Sequence, residues 1–153
     1  MNHVVLSEPI GTEGYMDPEI EKTKGVTLKS DIYSFGVVLF ELLCGREAFL
    51  PHEADSFLAP LAKRHYENNT MDEILQSEVL NHIRMNQVSV RSLGKIATTA
   101  YSCIQDERQH RPNMNDIVTK LEKALEVHLR LENLFHSVRH QQAFLLADTI
   151  DHE

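Results

Sequence analysis

A short loop near the N-terminus holds the side chains with the most obvious chemical potential. It reads Gly11-Thr12-Glu13-Gly14-Tyr15-Met16-Asp17-Pro18-Glu19 and combines two glycines with two hydroxyl groups and three carboxylates. Glycines on either side of a hydroxyl residue allow the backbone to approach another group closely. Surface loops are rich in glycine in any case, so the spacing alone favours an ordinary surface loop over a binding loop.

Histidines and cysteines offer a second kind of chemistry, metal binding. His136 and His140 lie four positions apart in the sequence, which would place both on one helix face as metal ligands often are. No third ligand lies nearby, so solvated histidines are the favoured interpretation. Cys44 and Cys103 lie within apolar helical stretches and are interpreted as small core residues in a reducing compartment. We therefore expect no metal site.

The element that must position the N-terminal loop is a helix predicted within the stretch from Lys29 to Arg46, which reads KSDIYSFGVVLFELLCGR. It is apolar all round and, at about 14 residues, too short to cross a bilayer, so it is predicted to lie in a core. Ser30 is the predicted N-cap, and Gly45 is predicted to end the helix. The acids Asp31 and Glu41 interrupt the apolar pattern. Each is either a buried charge with a partner, or a cap or surface ion pair.

The other helices are predicted from apolar periodicity and from residues that favour helix ends. Residues 1–29 are otherwise predicted to be an irregular loop, because glycines and prolines interrupt them, with a short turn or helix near Pro18 to Lys22. Longer helical patterns predict a mainly α-helical chain, with further helices over 56–66, 70–75 and 89–105 and from a cap at Asn113 onward.

The composition limits the kinds of partner that the chain can bind and the cellular compartment in which it is expected. The chain has 153 residues with 15 basic and 23 acidic side chains, so its net charge is −8. This balance argues against a nucleic acid partner, since binding phosphates along a nucleic acid needs clusters of basic residues. No apolar run has the length of a signal peptide or a membrane span, so the chain as given is expected in the cytoplasm.

Three sequence blocks occur in an order and at separations that resemble one protein family. They are GTEGYMDPE at 11–19, DIYSFGVVLFELLCGR at 31–46 and RQHRP at 108–112. Together they resemble the helical C-terminal lobe of a plant receptor-like serine/threonine protein kinase of the malectin-like receptor type. The resemblance implies three parts: the end of the activation segment with the substrate-pocket loop (1–28), the helical core of the lobe (29–126), and a helical or frayed tail (127–153).

The resemblance also implies structural roles for single residues. Asp17-Pro18-Glu19 matches the Ala-Pro-Glu motif that closes the activation segment. This implies a buried ion pair between Glu19 and Arg111, a task for which the planar, always charged guanidinium is well suited. Asp31 is implied to support the backbone of the catalytic loop from beneath.

The substrate-pocket residues follow from the same resemblance. Thr12 matches the hydroxyl residue that helps to hold the phosphoacceptor in serine/threonine kinases. Gly14 and Tyr15 are implied to line the pocket for the residue that follows the phosphoacceptor. Ser7, Thr12 and Tyr15 are candidate phosphorylation sites by their position, with an unmodified loop hydroxyl as the alternative for each.

The parts that catalyse phosphoryl transfer are not among these residues. The family uses ATP and Mg²⁺, held by a glycine-rich loop, a strand lysine, a His-Arg-Asp loop with its asparagine, and Asp-Phe-Gly. None of these motifs occurs in the 153 residues. We therefore expect no catalytic residue here, and a fragment of an ATP-dependent serine/threonine kinase that is inactive by itself.

A second hypothesis treats the chain as a non-catalytic interaction module. Its partners would be a full-length kinase or that kinase's protein substrate. The apolar stripe of the last helix continues through Leu131, Phe135 and Val138, although His128 and Gln142 interrupt the pattern of a coiled coil. A helix packed on its own domain or a frayed end remains the alternative.

The missing segments also predict marginal stability. In the family fold, the catalytic loop and the helix before it cover part of the central helix. Each apolar side chain left uncovered forfeits about 1.5–3 kcal/mol, against a total stability of about 5–15 kcal/mol for a whole domain. We therefore expect a chain that is marginally stable, prone to associate, or dependent on a partner.

Overall fold

A computed structural model describes residues 4–5, 11–85 and 90–150, with side chains for 11–85 and 90–139. The described elements are mainly α-helical, as predicted. In chain order they are β1 (Val4–Val5), α1 (Pro18–Thr23), β2 (Gly25–Val26), α2 (Leu28–Cys44), α3 (Leu58–Glu67), α4 (Ser77–Met85), α5 (Val90–Cys103) and α6 (Met114–Ile150). Two 3₁₀ turns, Met71–Ile74 and Arg108–His110, complete the set.

The ends of α2 are set by local hydrogen bonds. The predicted cap was wrong, because Thr27 and not Ser30 is the N-cap, and the helix begins at Leu28. The Thr27 hydroxyl accepts a hydrogen bond from the Lys29 amide, and the Ser30 hydroxyl accepts one from the Thr27 amide, which together form a capping box. Gly45 ends the helix as predicted, in the left-handed conformation (φ +72°) that favours glycine.

The core surrounds α2, which packs against α5 and α3, while α6 packs against α5. Ile117 of α6 lies in one buried cluster with Ile32 of α2 and Cys103 of α5. Gly36 allows the closest approach between α2 and α5: a Cβ placed there would lie 2.6 Å from the Cβ of Cys103 and 2.8 Å from a methyl carbon of Ile104. Cys44 and Cys103 are both buried and unpaired, in agreement with their interpretation as small core residues. The largest fully buried apolar side chains near this centre are Val37, Phe40, Leu58 and Ile117.

One side of α2 is exposed, which the all-round apolar pattern did not predict. Leu28 is 84% exposed, Leu42 is 75% exposed and Val38 is 36% exposed. Asp31 lies between the first two along the same side, because residues three or four positions apart share a helix face. The other side chains of the helix are mostly buried, so α2 is a core helix with one exposed side.

Three elements were not expected from the sequence. Strands β1 and β2 pair antiparallel, with Val4 opposite Val26 and Val5 opposite Gly25, inside the segment predicted to be irregular. Helix α4 lies between the helices predicted over 70–75 and 89–105, where no helix was predicted. Among the described helices, none is long and apolar enough to span a membrane.

The final helix, α6, continues without a break to Ile150. Asn113 caps it as predicted, because its side chain accepts a hydrogen bond from the Asp116 amide at 2.9 Å. Its first half buries Ile117 and Ala124 against the rest of the fold, whereas Leu134 and Phe135 are exposed further along. The part of α6 from Leu134 to Val138 therefore contributes little to the core of the described chain.

The contact at Gly36 gives a direct test of the packing of α2 on α5. We expect Gly36→Ala to lower the free energy of unfolding by about 1–3 kcal/mol, because the new methyl group overlaps two buried side chains. Gly94→Ala in α5 is the matched control, since a Cβ there meets nothing within 4 Å. Alanine favours a helix more than glycine, so the control should gain up to about 1 kcal/mol. Urea unfolding followed by circular dichroism measures both, and equal effects would contradict this packing.

Candidate functional site

The loop that the sequence singled out is held in a tight turn against the segment after α2. The Tyr15 amide donates a hydrogen bond to the Thr12 carbonyl at 3.1 Å. Gly14 adopts φ +87°, and a Cβ there would lie 2.8 Å from the backbone carbonyl atoms of Ala48. Glycine is therefore required at this position for two reasons: the backbone has a positive φ, and the two backbones approach each other closely.

Tyr15 is fixed at both its ring and its backbone. Its hydroxyl donates a hydrogen bond to the Glu41 carboxylate at 2.5 Å, and its carbonyl accepts one from the Ser34 hydroxyl at 2.7 Å. The same Glu41 oxygen accepts a hydrogen bond from the Ala48 amide at 2.8 Å. The hydrogen bond to Glu41, together with burial, raises the pKa of Tyr15 to about 12. Glu41, one of the two acids that interrupt α2, therefore acts as a partnered charge that ties the loop to the helix.

The loop ends at Asp17, a fully buried carboxylate shared by two arginines. One oxygen of Asp17 accepts a hydrogen bond from Nη2 of Arg111 at 2.9 Å, and the other accepts one from Nε of Arg108 at 2.8 Å. Asp17 is also the N-cap of α1, because its side chain accepts a hydrogen bond from the Glu19 amide. We call the set Asp17, Arg108 and Arg111 the clasp, because it joins the loop to the turn between α5 and α6.

Arg111 has every part of its guanidinium occupied. Nε donates to the carbonyl of Gln105 at 2.7 Å, and Nη1 donates to the carbonyl of Lys29 at 2.9 Å. Its Cζ atom lies 5.0 Å from the ring centroid of Tyr33, within the range of a cation–π contact. In return the Lys29 ammonium donates to the carbonyls of Arg111 and Pro112. These contacts offset the cost of burying the guanidinium and fasten the start of α2 to the same turn.

The predicted ion pair between Glu19 and Arg111 was wrong, because the acidic partner of Arg111 is Asp17. Glu19 lies 3.7 Å from Nε of Arg108 and its side chain is 28% exposed, whereas the side chains of Asp17 and Arg111 are fully buried. The reason is the position of the helix start. Asp17 precedes α1 and its side chain turns back as a cap, which leaves Glu19, in the first turn, at the outer edge of the clasp.

Burial and hydrogen bonding act in opposite directions on Asp17. Burial by itself raises the pKa of a carboxyl group, but hydrogen bonds from Arg111, Arg108 and the Glu19 amide outweigh it. They lower the pKa of Asp17 to about 2 from its ordinary value of 3.8. The carboxylate is therefore ionised at neutral pH.

Two clefts open on either side of the loop. A cavity of about 450 Å³ is lined by Thr12, Tyr15, Asp31 and Ser34 among others. A cavity of about 350 Å³ lies on the other side, between the loop and the start of α3, and Glu13, Gly14, Glu21 and Phe57 contribute to its lining. The structure thus brings the predicted pocket residues Thr12, Gly14 and Tyr15 together around two open clefts. Asp31 is exposed in the first cleft, close to Thr12.

The clefts do not have the donors that a metal nucleotide needs. Asp31 is the one carboxylate among the described residues that line the first cleft. Within the described part of the chain, no three histidine, cysteine, aspartate or glutamate side chains are grouped so that they could hold a metal ion. A magnesium–nucleotide complex needs oxygen ligands together with a cradle of backbone amides or lysine for its phosphates. The residues present therefore do not fit ATP and Mg²⁺.

The candidate phosphorylation sites differ in their surroundings. Ser7 lies outside the described residues. Thr12 is exposed, and Tyr15 donates its hydroxyl hydrogen to Glu41. A phosphate on Tyr15 would meet that carboxylate and be repelled by it. Thr12 is therefore the more accessible hydroxyl group of the two described.

Comparison with known proteins bears on these residues directly. The protein kinase domain family matches residues 1–121. The chain belongs to this family. Similar proteins of Arabidopsis thaliana include the receptor-like protein kinase HERK 1, 39% identical over 120 residues, and the receptor-like protein kinase FERONIA, 36% identical over 130 residues. A putative receptor-like protein kinase is 41% identical over 122 residues.

These matches cover most of this kinase-family chain but little of each relative. They span 76%, 83% and 77% of the chain, in the order given, and 14%, 14% and 13% of the relatives. The resemblance to plant receptor-like kinases is therefore confirmed, together with the helical fold expected of a kinase C-terminal lobe.

Several residues of the site in this kinase lobe were missed by sequence reasoning. Arg108 lies three positions before Arg111 in the same RQHRP block, so a shared carboxylate could have been suspected from the spacing. Ser34 and Lys29 carry no comparable signal, because their roles are hydrogen bonds to backbone carbonyls of remote segments. Glu41 was singled out as an acid that needs a partner, but its partner could not be named.

The clasp predicts unequal effects for two neighbouring carboxylates. We expect Asp17→Asn to lower the free energy of unfolding by about 3–5 kcal/mol, because it leaves a buried guanidinium without its counter-charge. Glu19→Gln, the matched control, should cost less than about 1 kcal/mol, because Glu19 is partly solvated and 3.7 Å from its nearest arginine. Urea unfolding of both variants at neutral pH makes the comparison.

The pH dependence gives the same prediction a second readout. Since the pKa of Asp17 is lower in the folded chain than in the unfolded chain, its ionised form stabilises the fold above about pH 4. That contribution declines as the pH falls toward the folded pKa of about 2. The difference in the free energy of unfolding between the wild type and Asp17→Asn should therefore become smaller as the pH falls over this range. A greater loss in Glu19→Gln than in Asp17→Asn would contradict the observed clasp.

Proposed function

We propose that this chain supplies the substrate-facing helical lobe of an ATP-dependent serine/threonine protein kinase of the receptor-like class. In this proposal residues 1–28 end the activation segment, 29–126 form the core of the lobe, and 127–153 form the tail. The observation that carries it is the clasp, which holds the pocket loop against the helices so that Thr12 and Gly14 border open clefts. Such a loop is suited to position an extended peptide of a protein substrate.

The chain's own residues have positioning roles in this proposal. Thr12, exposed beside the first cleft, would contact the phosphoacceptor residue of the peptide. Gly14 and Tyr15 would shape the pocket for the following residue, with Tyr15 held rigid by Glu41. Asp31 would support a catalytic loop supplied from outside these residues, which its exposed position beside Thr12 allows.

These residues do not complete a phosphotransferase. Phosphoryl transfer depends almost entirely on positioning the nucleotide and neutralising its charge. The motifs that do both are missing from the 153 residues, and the described clefts have too few carboxylates to replace them. We propose that the chain does not transfer phosphate by itself, and that a cytosolic kinase domain of a membrane receptor is the setting in which the lobe works.

The proposal predicts no phosphotransfer by the isolated 153-residue chain. With labelled ATP, Mg²⁺ and a generic acceptor protein, incorporation should equal that of a sample without the chain, while an active kinase domain from a receptor-like relative is the positive control. Incorporation above background that requires both ATP and Mg²⁺ would falsify the proposed inactivity.

An alternative function follows from the tail. Helix α6 extends 24 residues past Glu126, since it ends at Ile150, and Phe135 and Val138 on this extension are 44% and 49% exposed. A long helix with exposed apolar side chains is suited to lie against another protein. In this alternative the chain is an interaction module that docks on a full-length kinase or on that kinase's substrate.

Truncation separates the two functions. If the tail is the docking element, immobilised chain should capture a purified receptor-like kinase, and both truncation after Glu126 and combined alanine substitution of Leu131, Phe135 and Val138 should abolish capture. Asn133→Ala is the control, because it changes a polar, exposed residue of the same segment. Equal capture by the truncated chain would contradict the alternative. Circular dichroism must show that the variants keep their helical content.

A further inference from the structure

A groove of about 560 Å³ between α5 and α6 is lined by four basic side chains. Arg91 and Lys95 come from α5, and Lys120 and Lys123 come from α6. The other lining residues are Gly94, Thr98 and Thr99. We call this set the α5–α6 groove, and it shares no residue with the clefts beside the pocket loop.

The concentration of positive charge is unusual for this chain. Its net charge is −8, yet no acidic residue is among those that line the groove. Most arginines of the fold and Lys63 lie in ion pairs. Among the described residues, none of the four groove cations has a carboxylate within salt-bridge distance, whereas Arg108 and Arg111 share one. The groove cations therefore do not serve to neutralise the chain's own acids.

The two cations that each helix contributes also lie close to each other. Arg91 and Lys95 are four positions apart on α5, and Lys120 and Lys123 are three apart on α6, so each pair shares a helix face. Like charges at these spacings destabilise a helix by a few tenths of a kcal/mol per pair. An anionic ligand between the two helices would relieve the repulsion within each pair.

The floor of the groove is rigid and already satisfied by internal hydrogen bonds. The Thr98 hydroxyl donates to the Gly94 carbonyl and the Thr99 hydroxyl donates to the Lys95 carbonyl, each at 2.8 Å. Next to it, the buried Ser92 hydroxyl donates to the Ala124 carbonyl at 3.0 Å and joins the two helices. The space beside Gly94 is open, since a Cβ there would meet nothing within 4 Å. The walls are therefore fixed relative to each other while the cationic side chains remain available.

We propose that the α5–α6 groove binds a compact ligand that carries several phosphate groups. Arginine offers paired donors to phosphate oxygens and lysine offers a concentrated charge, so the two together suit such a ligand. The volume lies within the range of small-molecule sites, roughly 300–1,000 Å³, and is too small for the extended contact that a nucleic acid makes. A soluble inositol polyphosphate and the head group of a phosphoinositide lipid share this chemistry.

The proposal is tested by titrating the 153-residue chain with inositol hexakisphosphate in a calorimeter. We expect saturable binding that weakens as the ionic strength is raised from about 0.01 M to about 0.15 M, because the screening length falls from roughly 30 Å to roughly 8 Å. Lys120→Gln with Lys123→Gln, and separately Arg91→Gln with Lys95→Gln, should each weaken binding roughly tenfold or more, since each removes two charge-assisted contacts.

Arg84→Gln with Arg139→Gln is the matched control. This double variant also removes two positive charges, but from exposed positions on α4 and the tail, outside the groove. It should change the affinity for inositol hexakisphosphate less than about twofold. Thermal unfolding by circular dichroism shows whether each variant is folded. Absence of binding by the wild type, or equal weakening by the control and the groove variants, would overturn the proposal.

Vesicles distinguish the two sources of the ligand. Phosphatidylcholine vesicles with phosphatidylinositol bisphosphate are compared with vesicles of equal charge that contain phosphatidylserine. Preference for the phosphoinositide, lost in the groove variants, identifies a lipid head group, and binding of inositol hexakisphosphate without vesicle binding identifies a soluble ligand. Equal binding to both vesicles that the groove variants do not change would count against a phosphate site.

Discussion

A buried carboxylate shared by two guanidinium groups is the constraint on which this fold depends. Asp17 has no exposed surface and neither has the side chain of Arg111, so each charge is tolerable only because the other is present. The pair joins residues 94 positions apart. Arg111 adds the carbonyls of Lys29 and Gln105, and so the loop, the start of α2 and the turn before α6 meet at one point.

The site follows from this junction. With its end held by the clasp, the pocket loop can press Gly14 against Ala48 and place Tyr15 on Glu41. The first contact lies just after α2 and the second lies on α2 itself, and together with the clasp they hold the loop from Gly14 to Asp17. Thr12 and Asp31 then face the same cleft without touching the core. In the function that we propose, this loop positions a peptide, and groups outside these residues carry out phosphoryl transfer.

The two sides of α2 have different surroundings, because one is buried in the core and the other is exposed. Toward α5 it is so tightly packed that Gly36 admits no side chain, whereas Leu28 and Leu42 are largely exposed on its other side. The α5–α6 groove and the tail of α6 are two further surfaces that the core does not use. The described part of the lobe therefore has several distinct exposed surfaces besides the clefts beside the pocket loop.

Most of the helices could be predicted from the chain, because apolar spacing and caps such as Asn113 and Gly45 are local properties. Local reasoning failed where two capping residues compete: Thr27 precedes Ser30, and the pair shares one capping box. It also failed for β1 and β2, whose pairing joins segments about twenty residues apart. Strands of two residues leave no periodic pattern in a sequence.

The amino-acid sequence by itself determined the kinship of the chain, and through that kinship it predicted pocket residues at Thr12, Gly14 and Tyr15 and a buried acidic partner for Arg111. Only the tertiary structure decided that this partner is Asp17 and not Glu19. Both carboxylates lie within reach along the chain, and the start of α1 between them turns one inward and leaves the other at the edge. The same holds for the α5–α6 groove, since its four charges come from two helices whose relative placement is decided by packing alone.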